Sequence, residues 1–358
     1  MRAVAVIPGT RNSLHVIDQA PDPHPAEHEA LVRVLEAGIC GTDAEIHQGR
    51  YGVAPADSPF LILGHENLGV IETAPSGSAL VPGDLVVATV RRPCPDACAP
   101  CRAGQNDMCL TGNYRERGIQ GLHGFMSERY AEDPYYLVKL PPSLRDFAVL
   151  VEPMTVIQKG LDHAFRIQDR FAWAPHRAVV LGAGTVGILA AAALRLRGFE
   201  ATVVSREPGD TPKVAFLAEA GIRYRTTGGL PTGRWLQDIG PADLVFEATG
   251  AAAVIFPALS LLAPGGVGIL ASVTDGVHQP EVDVARWNRD MVLGNRVVFG
   301  TVNAARRHFE GAVRDLLEAE IRLPGWTRRI ITGKVPFAEA RSVLQRRPGD
   351  IKTVLRFD

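Results

Sequence analysis

The stretch between residues 178 and 197 constrains the fold of this chain more than any other. Four apolar residues, Ala178–Leu181, lead into the turn sequence Gly182-Ala183-Gly184-Thr185-Val186-Gly187, and a helical pattern follows to Arg197. In such a strand–turn–helix unit the first glycine permits the tight turn, the second lets the backbone approach a pyrophosphate, and the third lets helix and strand pack closely. We therefore predict a dinucleotide site that includes Gly182, Gly184, Thr185, Val186 and Gly187.

The end of the second strand indicates which dinucleotide binds. The apolar run Ala201–Val204 ends in Ser205, Arg206 and Glu207. An NAD enzyme usually carries an acidic residue here for the ribose 2′-hydroxyl. Arg206 would instead attract a 2′-phosphate, and Ser205 could add a hydrogen bond, so NADP is the predicted cofactor. NAD stays possible because a shift of one residue would place Glu207 there, and Arg206 could also be a solvated surface residue.

The chain changes character after Glu152-Pro153. Before that point it is rich in short β-type segments divided by turn residues, such as Ala30–Leu35 and Leu68–Thr73. After it, a helix is predicted over 154–168, and from residue 178 short apolar runs alternate with helical stretches. That alternation is typical of a parallel sheet covered by helices, so the fold class is α/β with a β-rich first part.

Four of the five cysteines fall within sixteen residues, as Cys94, Cys98, Cys101 and Cys109. Four thiolates complete the tetrahedral shell of a zinc ion and leave no position for water, so this cluster predicts a structural zinc site. Cys40 stands apart in Gly38-Ile39-Cys40-Gly41-Thr42-Asp43. With His65 and Glu152 it would make three zinc ligands and an open fourth position, the catalytic arrangement. On residue types alone that second signal is weak, since single Cys and His residues are more often packed in a core.

Composition sets the broad class. The 358 residues are 46% hydrophobic and 22% charged, with a net charge of −1, which is typical of a globular protein and excludes the basic stripe of a nucleic-acid binder. The longest apolar run, from Arg177 to Arg195, is interrupted by glycines and is too short for a membrane span. The N-terminus shows no signal-peptide pattern, so we expect a cytoplasmic protein with no membrane partner.

These motifs together resemble the zinc-containing medium-chain dehydrogenases over nearly the whole chain. Within them the sequence is most similar to the archaeal-type glucose 1-dehydrogenases. The closer resemblance is carried by Gly49-Arg50-Tyr51-Gly52, Leu61–Glu66, Thr89-Val90-Arg91-Arg92-Pro93, Glu116-Arg117-Gly118-Ile119, His123-Gly124-Phe125-Met126-Ser127-Glu128, Tyr136-Leu137-Val138-Lys139, Glu152-Pro153-Met154-Thr155-Val156 and Ile351-Lys352-Thr353-Val354-Leu355.

The resemblance implies an architecture and an activity. A Rossmann NADP-binding domain, residues 154–304, would be inserted into a β-rich GroES-like catalytic domain made of 1–153 and 305–358. The protein would oxidise an aldose at C1 to the lactone, D-glucose first and D-galactose or related sugars next, and pass the hydride to NADP. It would form a dimer or tetramer.

The resemblance also implies roles for individual residues. The catalytic zinc would be held by Cys40, His65 and Glu152, with Glu66 as a neighbour able to exchange into the shell and Asp43 orienting His65. Thr42 would hydrogen-bond the reacting hydroxyl and begin the proton path. The remaining contacts implied are Glu116, Glu152 and Asn303 for the sugar, and Ser272, Thr301, Val302 and Asn303 for the cofactor, with His308 and Lys352 as weaker candidates.

Two departures from the family pattern stand out. Three residues rather than two separate Cys94 from Cys98, which puts the structural zinc in question, and Glu45 occupies a position where many alcohol dehydrogenases carry a proton-relaying histidine. Two other functions stay open at this point. One is a polyol or secondary-alcohol dehydrogenase of the same family; the other is a non-catalytic NADP-binding protein, against which the three intact ligands Cys40, His65 and Glu152 argue.

Overall fold

The structure is a computed structural model that describes residues 1–228, 232–274, 276, 281–345, 347 and 349–357, without the side chains of residues 232–234. The chain forms two compact units. The first comprises Met1–Thr155, Asn303–Leu317 and Thr327–Asp358, and the second comprises Val156–Val302 and Glu318–Trp326.

The regular elements of the described residues follow in chain order. The strands are β1 (Ala3–Val6), β2 (His15–Ile17), β3 (Ala30–Gly38), β4 (Leu61–Ile62), β5 (Glu66–Thr73), β6 (Leu85–Ala88), β7 (Arg91–Arg92), β8 (Arg115–Arg117), β9 (Gly121–Leu122), β10 (Arg129–Glu132), β11 (Leu137–Leu140), β12 (Arg177–Leu181), β13 (Glu200–Ser205), β14 (Arg223–Thr226), β15 (Ala242–Glu247), β16 (Leu262–Leu270), β17 (Val297–Gly300), β18 (Ile331–Pro336) and β19 (Lys352–Arg356). The α-helices are α1 (Gly41–His47), α2 (Ala99–Arg102), α3 (Val151–Gln168), α4 (Thr185–Leu196), α5 (Pro212–Glu219), α6 (Thr232–Ile239), α7 (Ala252–Leu259), α8 (Val284–Leu293) and α9 (Arg306–Arg322).

The first unit is built around a largely antiparallel sheet in the order β11-β6-β5-β3-β19-β18, with β10 also paired to β3. Small sheets of β2-β1-β4 and β7-β8-β9 complete it. Its apolar core includes the fully buried strand β1 and the buried side chains Val32, Val34, Phe125 and Leu355. One register matters for the site, because Gly38 at the end of β3 pairs with Glu66 at the start of β5.

The second unit contains a six-stranded parallel sheet in the order β14-β13-β12-β15-β16-β17. Strands β13 and β14 follow β12 on one side, and β15 to β17 follow on the other, so the strand order reverses between β12 and β15. This is the arrangement of a dinucleotide-binding Rossmann sheet. The prediction of an α/β chain with a doubly wound parallel sheet is therefore confirmed. Its core, which includes Val179, Leu181, Val245 and Trp235, consists of strand residues and the helices that cover them.

The start of one predicted helix differs from the structure. Helix α3 begins at Val151, ahead of the predicted start at residue 154, because Pro153 lies in its first turn, where the missing N–H costs nothing.

Segment Glu318–Trp326 belongs to the second unit. There the Trp326 ring stacks on Phe216 at 4.5 Å, and its indole N–H donates to the Phe216 carbonyl.

Among the described helices, none combines the length and the apolarity needed to cross a bilayer.

Candidate active site

A cluster of three potential metal ligands lies in the first unit. The ligand atoms of Cys40, His65 and Glu66 all lie within 4.8 Å of one another, with His65 and Glu66 buried. Cys40 immediately precedes α1, and Glu66 begins β5, so a helix start and a strand start converge here. A thiolate, an imidazole and a carboxylate form a donor set that suits zinc with an open fourth position.

Asp43 contacts both chain segments that carry the ligands of this cluster. Its fully buried carboxylate accepts hydrogen bonds from the backbone N–H of Cys40 at 2.8 Å and of Gly64 at 3.3 Å. The same carboxylate lies 3.6 Å from Nδ1 of His65, which leaves Nε2 of the imidazole to face a metal. Asp43 thus connects both ligand-bearing segments, in the position expected of it.

Two titratable groups at this cluster have shifted pKa values: His65, which is part of it, and Glu152, which is not. Burial lowers the pKa of His65, but the Asp43 carboxylate outweighs that effect and holds it well above its ordinary value. Burial raises the pKa of Glu152 to about 7, with the charges of Glu66 and Asp43 adding to the rise and those of His65 and Lys352 opposing it. Glu152 therefore lies within electrostatic reach of the cluster, although it is not among the three residues whose ligand atoms converge.

Glu66 has a partner of its own. Its Oε2 forms an ion pair with Nζ of Lys352, and both side chains are almost completely buried. Lys352 also donates to the Ile39 carbonyl at 2.9 Å. A Cβ on Gly38 would lie 2.0 Å from the same Glu66 oxygen, so only glycine leaves room for this carboxylate. Lys352, a weak candidate from the sequence, is thus part of the site's charge balance.

Thr42, the predicted start of the proton path, lies in the first turn of α1 and is partly buried. Its side chain is hydrogen-bonded to Tyr51. Burial raises the pKa of Tyr51 to about 12, against the opposing effect of this hydrogen bond, and the side chain is 40% exposed. A neutral hydroxyl that is bonded to Thr42 and belongs to a partly exposed side chain is suited to passing a proton.

The predicted sugar contacts Glu116 and Asn303 lie side by side. Nδ2 of Asn303 donates to Oε1 of Glu116 at 2.7 Å, and Nε of Arg91 donates to the same oxygen at 2.9 Å. Asn303 has a left-handed backbone, with φ of 59°, and its Oδ1 accepts from the N–H of Ala304. His308 is buried nearby in sequence, where its Nδ1 accepts from the N–H of Ala305.

The four cysteines of the lobe converge on one point. The Sγ atoms of Cys94, Cys98, Cys101 and Cys109 lie within 4.8 Å of one another, and those of Cys98 and Cys109 are 3.9 Å apart. Zn–S bonds of about 2.3 Å in a tetrahedron require a separation of about 3.8 Å, so the donor set fits zinc.

The lobe favours the thiolate of Cys109 and accommodates the extra residue between Cys94 and Cys98. Burial raises the pKa of the Cys109 thiol, but hydrogen bonds from Thr111 and Gly112 outweigh that effect and lower the pKa to about 6. Ala97 takes up the additional residue by adopting a left-handed backbone, with φ of 46°. Its N–H donates to the Cys94 carbonyl at 3.1 Å, which closes the loop between the first two cysteines.

The glycine-rich turn of the second unit has the geometry that a dinucleotide needs. Gly182 has φ of 104°, and a Cβ on Gly187 would lie 2.0 Å from the Gly182 carbonyl oxygen. A Cβ on Gly184 would meet nothing within 4 Å, so the backbone is open at the point where a pyrophosphate approaches. Thr185 and Val186 begin α4 directly after it, at the end of the helix that favours an anion.

At the end of β13, the acidic residue Glu207 is engaged by another side chain, whereas the basic residue Arg206 is engaged by none that the structure describes. Glu207 forms an ion pair with Lys213 at 2.6 Å, which occupies the one carboxylate that could have bound a ribose hydroxyl. Arg206 is exposed and makes no hydrogen bond or ion pair with the described residues. Ser205 is held near Tyr224 and accepts from the N–H of Glu207. This arrangement favours a 2′-phosphate.

The three other predicted cofactor residues of this unit differ in their surroundings. The Ser272 hydroxyl donates to Glu247 and accepts from the N–H of Gly250, so its hydrogen-bonding capacity is largely used. Oγ1 of Thr301 is buried without a partner among the described residues, as expected of a group that waits for a ligand. Val302 is 60% exposed, and its carbonyl accepts from Nζ of the buried Lys159 at 2.9 Å.

The sequence analysis missed four residues that contact these groups: Tyr51, Arg91, Lys159 and Glu247. Arg91 and Tyr51 lie in family-specific strings, but a string does not say which of its members faces the site. Lys159 and Glu247 gave a signal only as charges inside apolar runs, on α3 and at the end of β15. A buried charge must be paired, so a charged residue inside an apolar run indicates a specific partner in the fold.

Comparison with known proteins assigns the family. Residues 26–142 match the alcohol dehydrogenase GroES-like domain, and residues 145–357 match the glucose dehydrogenase C-terminus. A glucose 1-dehydrogenase from Methanocella arvoryzae is 42% identical over 356 residues, which cover 99% of each chain. One from Thermoproteus tenax is also 42% identical, again with 99% of each chain covered.

The solved structures agree. The structure of Haloferax mediterranei glucose dehydrogenase in complex with NADP, Zn and gluconolactone is 34% identical to this chain, covers 100% of it and 99% of its own length, and has a TM-score of 0.92. Galactitol-1-phosphate dehydrogenase from Escherichia coli shares the fold, with a TM-score of 0.77 at 21% identity. The chain belongs to the glucose dehydrogenase family of zinc-containing medium-chain dehydrogenases, as its sequence motifs indicated.

Proposed function

We propose that this protein oxidises an aldose at C1 to the corresponding lactone, with D-glucose as the first candidate, and transfers the hydride to NADP. The observation that carries the proposal is the convergence of Cys40, His65 and Glu66 in a chain that matches glucose 1-dehydrogenases end to end. The Haloferax relative, which was solved with NADP, Zn and gluconolactone, supports the same cofactor, metal and substrate class.

Zinc would be held by Cys40 and His65, with Glu66 or Glu152 as the carboxylate ligand. When bound, it supplies Lewis-acid stabilisation of a developing alkoxide. Asp43 keeps His65 in the orientation and tautomer that ligation requires. Lys352 balances the charge of Glu66. Cys94, Cys98, Cys101 and Cys109 would hold a second zinc with a purely structural role.

The protein's own groups would move the proton. The Thr42 hydroxyl accepts a hydrogen bond from the C1 hydroxyl of the sugar and passes the proton to Tyr51, whose partly exposed side chain delivers it to solvent. Tyr51 thereby takes the part that a histidine at the Glu45 position plays in many alcohol dehydrogenases.

The sugar would be held by carboxylates and an amide. Glu116 and Asn303, joined by their 2.7 Å hydrogen bond, would face sugar hydroxyls, and Glu152 would face them from the start of α3. Hydroxyl-rich ligands need acceptors in fixed positions, because a buried acceptor without a partner penalises any substrate lacking that hydroxyl.

NADP would lie on the glycine-rich turn of Gly182, Gly184 and Gly187. Arg206 and Ser205 would bind the 2′-phosphate, since the ion pair of Glu207 with Lys213 removes the competing acid. Thr185 and Val186 would present helix N–H groups to the pyrophosphate. Ser272, Thr301, Val302 and Asn303 would line the nicotinamide end.

We also propose a homo-oligomer, a dimer or tetramer, that works in the cytoplasm. Two features support self-association: β17 lies at the edge of the parallel sheet, and α8 exposes Val284, Val292 and Leu293 by 68%, 64% and 76%. The five free cysteines suit a reducing compartment. Light scattering of the purified protein tests the first statement.

The activity is tested by following NADPH at 340 nm with D-glucose, D-galactose, D-xylose, sorbitol and simple alcohols, with NADP or NAD, before and after chelation. We expect chelator-sensitive activity on aldoses that is strongest with NADP. Turnover of sorbitol or simple alcohols alone would discard the sugar assignment and keep the zinc chemistry. Silence with every substrate would point to a non-catalytic protein.

A further inference from the structure

Arg91 is a buried cation that no assigned role explains. It lies in the two-residue strand β7, opposite Glu116 of β8, and is 6% exposed. Its guanidinium is fixed on three sides. Nε donates to Oε1 of Glu116 at 2.9 Å, Nη1 donates to the Asp107 carbonyl at 3.2 Å, and the Tyr114 ring lies 3.6 Å below its carbon centre. A group held this firmly has one orientation.

The partner carboxylate is used asymmetrically. Oε1 of Glu116 accepts from both Arg91 and Asn303, whereas Oε2 makes no hydrogen bond with any described residue. A carboxylate in a buried position needs all its acceptor sites engaged or solvated. Because Oε1 is occupied twice, Oε2 is the oxygen left for a hydroxyl of a ligand.

The second hydrogen bond of Arg91 reaches a different part of the unit. Asp107 lies in the short 3₁₀ turn Asn106–Met108, between Cys101 and Cys109. The N–H of Cys109 donates to the Asn106 carbonyl, so this turn is continuous with the cysteine lobe. Arg91 therefore bridges the metal-binding lobe and Glu116 through a single rigid side chain.

We propose that Arg91 is the positioning residue that presents Oε2 of Glu116 to a sugar hydroxyl, with the cysteine lobe as its anchor. The inference rests on the proposed function, in that Glu116 must contact the sugar. Arg91 itself touches neither sugar nor cofactor. Its substitution consequently alters the affinity for sugar and leaves the chemical step and the cofactor site largely intact.

The test compares R91K with R92K in the full-length protein. Arg92 is the matched control, since it is equally buried, lies next in the chain and stacks on Tyr136, but is paired with Glu132 instead of Glu116. Glucose KM, NADP KM, kcat and the thermal midpoint are measured for each variant. Binding of gluconolactone by calorimetry, in the presence of NADP, gives a readout that is independent of turnover.

Lysine keeps the charge but cannot make both hydrogen bonds of the guanidinium in one plane. We expect R91K to raise the glucose KM and weaken lactone binding by about 10- to 100-fold, the range for a lost charge-assisted hydrogen bond. NADP KM stays unchanged and kcat falls by less than about threefold, a change below 1 kcal/mol. R92K lowers the thermal midpoint and leaves glucose KM unchanged.

Two further variants keep the outcome decisive. Y114L removes the ring beneath the guanidinium at a partly exposed position, and it should raise glucose KM in the same direction even if R91K does not fold. E116Q separates the inference from its premise. If E116Q raises glucose KM while R91K and Y114L leave it unchanged, the role of Arg91 is overturned and the sugar contact stands. If E116Q leaves glucose KM unchanged as well, the proposed sugar contact fails, and the inference fails with it.

Discussion

At the scale of single residues, Ala97 shows how this chain tolerates an extra residue in its cysteine lobe. A non-glycine residue in the left-handed region costs roughly 1–2 kcal/mol, and Ala97 has φ of 46°. We expect A97G to stabilise the protein by about 0.5–1 kcal/mol, since the added flexibility of glycine in the unfolded chain offsets part of the relief.

The thermal midpoint and the rate of zinc release to a colorimetric chelator check this expectation. A103G is the control, because Ala103 follows α2 with φ of −85°, where glycine relieves nothing. Equal changes in both variants would show that the conformation of Ala97 carries no strain.

Arg206 tests the cofactor assignment at the same scale. It is exposed and has no partner among the described residues, so removing it changes little except its interaction with a ligand. R206A should raise the NADP KM by roughly tenfold, the low end for a charge-assisted contact, and leave the NAD KM unchanged. R223A, which removes another exposed arginine from β14, serves as control. An equal rise of both cofactor KM values in R206A would contradict a 2′-phosphate contact.

At the scale of elements, the turn from β12 into α4 separates packing from cofactor binding. A Cβ at position 187 would lie 2.0 Å from a backbone oxygen, whereas one at position 184 meets nothing. G187A should therefore lower the thermal midpoint by the equivalent of about 1–3 kcal/mol, as overpacking does. G184A should leave the midpoint unchanged and weaken NADP binding by about tenfold, or 1.4 kcal/mol.

Thermal unfolding with and without NADP distinguishes the two variants. A lowered thermal midpoint in G184A, or an unchanged midpoint in G187A, would show that the two glycines do not divide these roles.

The elements also show what a sequence can predict. Strands β12 and β13 were predictable because each contains a short apolar run followed by a turn, and their observed bounds extend those runs by only one residue at an end. Strand β14 was not, since its sequence Arg-Tyr-Arg-Thr contains no apolar run. The cluster of four cysteines was predictable because cysteines are rare and these four are closely spaced, whereas Cys40, His65 and Glu152 stood out only through the family resemblance. The ion pairs of Lys352 with Glu66 and of Arg91 with Glu116 were not predictable, since they form through tertiary contacts that no local pattern encodes.

At the scale of the whole molecule, the same limit applies to units. The segment Glu318–Trp326 joins the second unit by stacking Trp326 on Phe216, about a hundred residues earlier in the chain. The sequence around either ring does not predict that they stack on each other. The ionic network around Glu132 was equally unpredictable. Glu132 accepts hydrogen bonds from both Arg92 and Arg117, so three charged residues that the sequence would place at the surface form one network.

That network predicts how stability depends on pH. Burial alone would raise the pKa of Glu132, but the charges of Arg117 and Arg92 outweigh it and leave the pKa below its usual value of 4.5. A carboxylate whose pKa is lower in the folded protein stabilises the fold at pH values above the unfolded pKa. The contribution is present in full at pH 7 and is lost as the pH falls below 4.5, through the folded pKa.

E132Q should therefore destabilise the protein at pH 7 by about 3 kcal/mol, because the buried Arg92 and the partly buried Arg117 lose their counter-charge. The difference from the natural protein should shrink as the pH falls below 4.5, where the natural carboxylate is also neutralised. E128Q is the control, since Glu128 pairs with Arg2 at a partly exposed site, where an ion pair contributes at most about 1 kcal/mol. Thermal midpoints of the three proteins from pH 7 down to about pH 3.5, a range that spans the usual carboxylate pKa, decide the matter. If E132Q and E128Q lose the same amount at every pH, the buried network contributes no more to folding than a surface pair does.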